Sequence, residues 1–367
     1  MPHDDLSGAI LTIGLDAISA NYKLLCKQAP GATTAGVVKA NAYGLGVDKV
    51  APVLFDAGCR VFFVASADEG IQLRELLPDV EINILNGAPA GHEALFREYR
   101  LIPVLNNLEA VGLWRAFCIA QNQPLPAALH LDTGMARLGL PPDELDRLAE
   151  DPDQLKGFEL RTILSHLACA SDAEHPLNQE QLAAFKNALS RLPSATASFA
   201  ASSGIFLGPQ YHFDLVRPGA ALYGLCPLTS VPNPMAQVVR LQGKILQVRD
   251  VDTPQTVGYG ATHRVAGPSR IATVAAGYAD GFLRSLGNSG CGYLGGVRTP
   301  IVGRVSMDLI TLDVTDVSPK QARTGELVDL IGPDNPLDQV AIDADTIGYE
   351  LLTSLGARYR RTYVGAG

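Results

Sequence analysis

"PLTSVPNPMAQ", residues 227–237, divides the chain into two textures. Its three prolines, with Ser and Asn, read as a linker. On its N-terminal side eight short apolar runs recur: "AGVVKA", "RVFFVAS", "EINILNG", "LIPVLNN", "AALHLD", "RTILSHL", "TASFAAS" and "FDLVRPG". Their ends are spaced by roughly 20 to 35 residues, the length of a βα unit. Gaps such as "DKVAPVLFDAGC" (48–59) and "NQEQLAAFKNALSRL" (178–192) carry apolar residues at helical spacing. Strands that are apolar throughout suit a parallel sheet buried on both faces. The pattern predicts an α/β fold: a (β/α)8 barrel over 12–230, with an open doubly wound sheet as the alternative from pattern alone. On the C-terminal side the runs turn short, β-branched and closely spaced: "VVRLQGKILQVRDV", "RIATVAAGY", "TPIVGRVSMDLITLDV", "ELVDLIG". They predict a mainly antiparallel β domain over 231–367, with one late helix in "IDADTIGYELLTSLG" and an N-terminal strand, 1–11, joining it.

The chain of 367 residues is 47% hydrophobic and 18% charged, enough for two packed cores. A net charge of -9 without a Lys/Arg block argues against nucleic acid or an anionic membrane as partner. "MPHDDLSGAI" has no basic or long apolar segment of a secretory signal. Residues 192–211 are uncharged, yet too rich in Ser, Gly, Pro and Ala for a membrane span. Six scattered cysteines without a CxxC pair suit reduced thiols in a cytoplasmic protein, not a zinc site.

Barrel enzymes place chemistry at the C-terminal strand ends. There the sequence puts Lys39, Asp132 with Arg137 beyond it, His166, Ser202, Ser203 and Arg217. "VVKANAYGLG" (37–46) ends an apolar run on an ammonium group, which burial disfavours. A lysine in an apolar mouth has lowered basicity and a nucleophilic amine suited to carbonyls, pyridoxal phosphate among them. "ASSG" (201–204) and "RPGA" (217–220) could cradle a phosphate, with Ser203, Gly219 and Ala220 supplying backbone or hydroxyl donors and Tyr43 a phenol. Taken singly, these stretches are ordinary turns.

"VVKANAYGLG", "HLDTGMARLG", "SHLACASD", "VRPGAALYG", "VGYGATH", "GYADG" and "VGRVSMD" occur in that order. Together they resemble the alanine racemase family, from about Leu11 to "LLTSLGARY". The resemblance implies a barrel-plus-β-domain homodimer that racemises alanine with pyridoxal 5'-phosphate. It implies that Lys39 holds the cofactor and serves as one catalytic base. Tyr259, from the partner subunit, would be the second. It further implies Arg217 at the pyridine nitrogen, His166 beside the ring, Arg137 near the substrate carboxylate, Met307 meeting substrate through its backbone, and Tyr278 and Asp308 at the entrance. A broad-specificity racemase and a cofactor carrier are the competing readings. A carrier would not need a second base.

Two positions depart from the resemblance. Many members have a lysine, often carbamylated, where this chain has His130. Arg137 would then find its anion in Asp132, in a small anion or water, or only in cofactor and substrate. Many members also have a C-terminal tyrosine at the phosphate. Tyr359 is nearby in sequence, but its register is open.

Overall fold

The structure, a computed structural model, describes residues 6–365. The first apolar run forms β2 (Thr33–Thr34) and β3 (Gly36–Val37), two halves of one chain passage. The following runs form β4 (Val61–Val64), β5 (Glu81–Ile84), β6 (Ile102–Leu105), β7 (Pro126–His130), β8 (Glu159–Leu164), β9 (Thr196–Ala201) and β10 (Leu215–Arg217). Each pairs in parallel with the next. β2 pairs with β10 while β3 pairs with β4, so the passage through residues 33–37 closes the ring. The nine strands are therefore eight passages of a closed (β/α)8 barrel, and the open sheet is excluded.

The barrel closes because its strands are apolar on both faces. Phe62, Phe63, Ile82, Ile84, Val104, Leu129 and Ile163 are all at most 1% exposed. Helices 47–56 and 177–191 fall on the two amphipathic gaps. Phe185 of the second stacks on Phe199 of β9, ring centroids 4.8 Å apart.

β1 (Ala9–Gly14) lies in the second unit. It pairs antiparallel with β11 (Val239–Val251) and parallel with β19 (Arg360–Val364). The other strands there are β12 (Gln255–Val257), β13 (His263–Val265), β14 (Ser269–Val274), β15 (Cys291–Leu294), β16 (Val297–Pro300), β17 (Ile310–Asp313) and β18 (Leu327–Ile331). The long β11 serves two neighbourhoods. Its first half pairs with β1 and β18, its second half with β14. Every pairing except β1 with β19 is antiparallel.

The contacts divide the chain after Ala17 and after Ala236, a few residues beyond the sequence-based boundaries. The first five residues of the expected N-terminal strand lie outside the described residues. The single late helix is a misreading. Helices 337–343 and 348–354 are separate, because Asp345 takes a left-handed backbone (φ 55°) that ends the first.

Candidate active site

Lys39 follows the closing strand directly. Val37 N–H donates to Pro218 O (3.0 Å) and Val38 N–H to Phe63 O (3.0 Å), so both neighbouring strands hold the chain up to the lysine. The Lys39 side chain is half-buried. Burial holds its ammonium below the usual lysine range, the Arg137 guanidinium adds to this, and Glu69 opposes it. The backbone then does something rare. Ala40, Asn41, Ala42 and Tyr43 all take left-handed conformations, φ 53° to 55°. Such residues cost about 1–2 kcal/mol each and persist only where the surroundings over-determine them. Asn41 Oδ1 accepts from Val47 N (2.8 Å), and Gly44 N donates to Ala40 O (2.8 Å). This turn aims Tyr43 back at the barrel, where it is 7% exposed, its ring 4.7 Å from that of Tyr223.

Gly219 fits that placement. A Cβ there would stand 2.4 Å from Tyr43 Oη, so only glycine lets the phenol approach. Ser202 Oγ accepts from Gly219 N (3.0 Å) and Ala221 N (3.1 Å), tying the ends of β9 and β10 together. Ser203 is half-buried, at the start of the short helix 202–205, and Ala220 is 4% exposed. The expected cradle is therefore one contiguous feature, with Ser202 as its tie.

Arg217 is 5% exposed. It donates from Nη1 to Ser198 Oγ (2.6 Å) and from Nη2 to Ser165 O (2.6 Å). Burial lowers its pKa to about 10, still protonated at neutral pH. Among the described residues neither Arg217 nor Arg137 stands within ion-pair distance of a carboxylate. A buried cation with only neutral partners lacks a counter-charge. His166, from the end of β8, shares this electropositive mouth. Burial, then Arg217 and Arg137, push its pKa down to about 3.

His130 donates from Nδ1 to Asn106 Oδ1 (2.8 Å). Asn106 Nδ2 donates to Leu85 O (3.0 Å) and Val104 O (3.1 Å), which fixes the amide with its oxygen toward the histidine. Burial and Arg217 push the His130 pKa down to about 4, so the ring is neutral and its Nε2 carries a lone pair. Asp132 is not the partner of Arg137. Its carboxylate is spent on the backbone N–H groups of Gly134, Met135 and Ala136 (2.8–3.2 Å), holding the loop that carries Arg137.

The remaining candidates lie on the other unit. Tyr259 sits in a turn between β12 and β13, 72% exposed. Gly258 and Gly260 both take φ 72°, and the Arg304 guanidinium lies against the turn, 3.0 Å from where a Gly260 Cβ would stand. Tyr278 N donates to Ser306 O (3.0 Å) and Ala279 N to Met307 O (2.9 Å), so these segments are bound side by side. Arg358 joins them, donating to Asp280 Oδ1 (2.6 Å) and to Asp308 Oδ1 (2.7 Å). Tyr278 and Met307 are 43% and 53% exposed, while Tyr359 is 4% exposed with no partner for its hydroxyl among the described residues. The Tyr359 phenol is thus buried in its own unit.

Sequence reasoning missed Asn106, Ser198 and Ser165 as supports. Each is a common polar residue within or just past a barrel strand, and only pairing across strands gives it a role. A cavity of about 480 Å³ near the opposite strand ends is lined by Arg74, Arg97, Arg100 and Arg161. Arg74 is used on backbone carbonyls and Arg161 on Glu81 and Glu159, so it reads as structure. Among the described residues no His/Cys/Asp/Glu group could hold a metal, and no helix is long and apolar enough to cross a membrane.

The barrel mouth fits pyridoxal phosphate: a lysine of lowered basicity, a buried guanidinium without a carboxylate partner, and a glycine-seated phenol. Residues 13–227 match the alanine racemase N-terminal domain and 238–363 the C-terminal domain. The chain belongs to the alanine racemase family. It is 54% identical to an alanine racemase of Rhodospirillum rubrum over 100% of this chain and 98% of that protein. It is 48% identical to a catabolic alanine racemase of Agrobacterium fabrum over 97% of this chain and 92% of that one. The structure is similar to the crystal structure of the Bartonella henselae alanine racemase with covalently bound pyridoxal phosphate. The TM-score is 0.94 at 46% identity, covering 98% of this chain and 100% of that one.

Proposed function

We propose that this chain interconverts L-alanine and D-alanine with pyridoxal phosphate held at Lys39, and that two subunits complete each site. The observation that carries the reading is the pairing, in one barrel mouth, of the half-buried Lys39 with the buried, carboxylate-free Arg217. When bound, the cofactor withdraws electrons and makes the alanine Cα–H acidic. Lys39 Nζ takes or returns that proton on one face. Tyr259 Oη does so on the other, giving a 1,1-proton transfer.

Arg217, still protonated, would face the cofactor's ring nitrogen and offer it a hydrogen bond without giving up its proton, which would limit electron withdrawal and favour exchange at Cα. His166 would lie beside the ring as a neutral imidazole, and Arg137 would offer its fork to the substrate carboxylate. Tyr43, Ser203, Gly219 and Ala220 would hold the phosphate. Tyr278, Met307 and Asp308 would shape the entrance.

Shared sites are supported by exposure. Tyr259, Tyr278 and Met307 are large side chains left exposed on one chain, Tyr278 and Met307 on segments bound side by side. The reading places the enzyme in the cytoplasm. One experiment in two arms tests it: one sample of the yellow holoprotein is supplied with L-alanine, and a second, without substrate, is reduced with borohydride and mapped. Production of D-alanine and a label on Lys39 are expected. A label on another lysine, or no D-alanine, would overturn the assignment. One extra methylene or hydroxyl is rejected by only ~1–3 kcal/mol, so slow turnover of serine is expected in the same assay.

A further inference from the structure

Glu69 belongs to none of the groups assigned above, yet it touches the residue next to Lys39. Its Oε1 accepts from Ala40 N at 2.6 Å. Its Oε2 accepts from Ala65 N at 2.7 Å and Ser66 N at 3.3 Å, at the end of β4. Ser66 caps helix 67–76, and Glu69 completes its capping box. A capping box needs only the reach back to the cap amide. The second carboxylate oxygen does a different job, spanning 29 residues to the left-handed turn.

We infer that Glu69 is a positioning residue for Lys39, clamping the strained turn 40–43 to the β4 end so that the amine stays over the barrel mouth. The inference rests on the reading of Lys39 as the cofactor lysine. Ala40 N–H is the first amide after Lys39, so whatever holds it fixes where the lysine side chain departs. A left-handed turn of non-glycine residues needs anchors on both sides. Asn41 with Val47 supplies the far side, and Glu69 the near side. Its own base is rigid. A Cβ at the adjacent Gly70 would stand 2.5 Å from Ile84 Cδ1, so helix 67–76 sits directly on the barrel wall. Both oxygens accept from backbone N–H groups, so the carboxylate holds the turn and does not relay protons. Its charge also faces the Lys39 ammonium and partly offsets burial and Arg137 there.

The test compares native holoenzyme with Glu69→Ala, Glu69→Gln and, as a control, Ser66→Ala. The control weakens the helix cap and leaves the bond to Ala40. Expected for Glu69→Ala is amide hydrogen exchange faster by about tenfold in the peptide covering 39–46. Its kcat should drop by about tenfold to a hundredfold, with KM for alanine nearly unchanged. Glutamine has one acceptor oxygen and cannot serve both sides, so it should give an intermediate exchange rate. It should also move the Lys39-dependent limb of the kcat profile to lower pH. Ser66→Ala should lower the melting temperature without changing exchange in 39–46.

Exchange and kcat within twofold of native in Glu69→Ala would overturn the proposal. So would a Ser66→Ala variant that reproduces every effect, because the role would then be helix stability. If Glu69→Ala does not accumulate, the exchange rate of Glu69→Gln decides. Borohydride mapping of the native protein runs alongside. A label away from Lys39 would overturn the reading of that lysine, and the exchange data would then decide the clamp on their own.

Discussion

On the proposed reading Tyr259 and Lys39 are separate bases, so each can be removed alone. Tyr259→Phe removes one oxygen from an exposed turn and should leave folding and cofactor absorbance intact. Racemisation should drop by about 10²–10⁴-fold, the usual worth of a positioned acid–base group. The loss should be uneven in solvent-deuterium wash-in from the two enantiomers. Equal wash-in from both would contradict a division by face. His130 gives a second prediction at this scale. A neutral imidazole fixed by Asn106 needs no carbamate, so the native enzyme should be equally active in carbon-dioxide-stripped buffer and with added bicarbonate. His130→Lys should acquire a bicarbonate requirement. Recovery of the native enzyme by bicarbonate would refute this. The same histidines set an acid limit. Folded pKa values of about 4 for His130 and about 3 for His166 lie below the ordinary 6.5. The unfolded chain therefore binds more protons in that window. Stability should be full above pH 6.5 and decline as pH falls through the window to about 4 and 3. His130→Gln should flatten that slope in denaturant titrations across pH; an unchanged slope would count against the lowered pKa.

The left-handed turn after Lys39 behaves unlike a helix or a strand. Glycine in a right-handed helix costs about 1 kcal/mol against alanine. At Ala42, with φ 53°, glycine relieves strain instead. Ala42→Gly should therefore leave the melting temperature unchanged or raised, and a drop of several degrees would show that the turn is not strained as described. Gly219→Ala should act the other way. Its Cβ would displace the Tyr43 phenol, at 2.4 Å, and weaken pyridoxal phosphate binding with little change in the fold. Fluorescence titration of the apoprotein measures this; an unchanged dissociation constant would separate Tyr43 from the cofactor.

Lys39 and Tyr259, the two bases of the proposed reading, fall in different units, so that reading has a testable logic at the scale of the whole molecule. Inactive Lys39→Ala and inactive Tyr259→Phe chains should complement when mixed and allowed to exchange. In a symmetric dimer with statistical exchange, half the dimers are mixed and each has one intact site. Recovery should approach roughly a quarter of native activity. No recovery despite proven exchange would mean that each chain completes its own site.

Much of this was legible in the residues. Runs such as "RVFFVAS", apolar on both strand faces, call for a covered parallel sheet, and eight of them call for a barrel. The lysine and arginines were likewise visible at the strand ends, and the family resemblance pointed to Tyr259. The late helix was misread, since a single left-handed Asp345 is not encoded in hydrophobic periodicity. The sequence alone determined the fold class and the chemical groups. Tertiary structure decided the environments: that Arg217 has neutral partners, that Asp132 serves its own loop, that Asn106 fixes the His130 tautomer, and that Glu69 reaches Ala40. The physical reason is range. Periodicity and residue type are local properties, whereas burial, desolvation and hydrogen-bond partners depend on segments brought together only when the barrel closes.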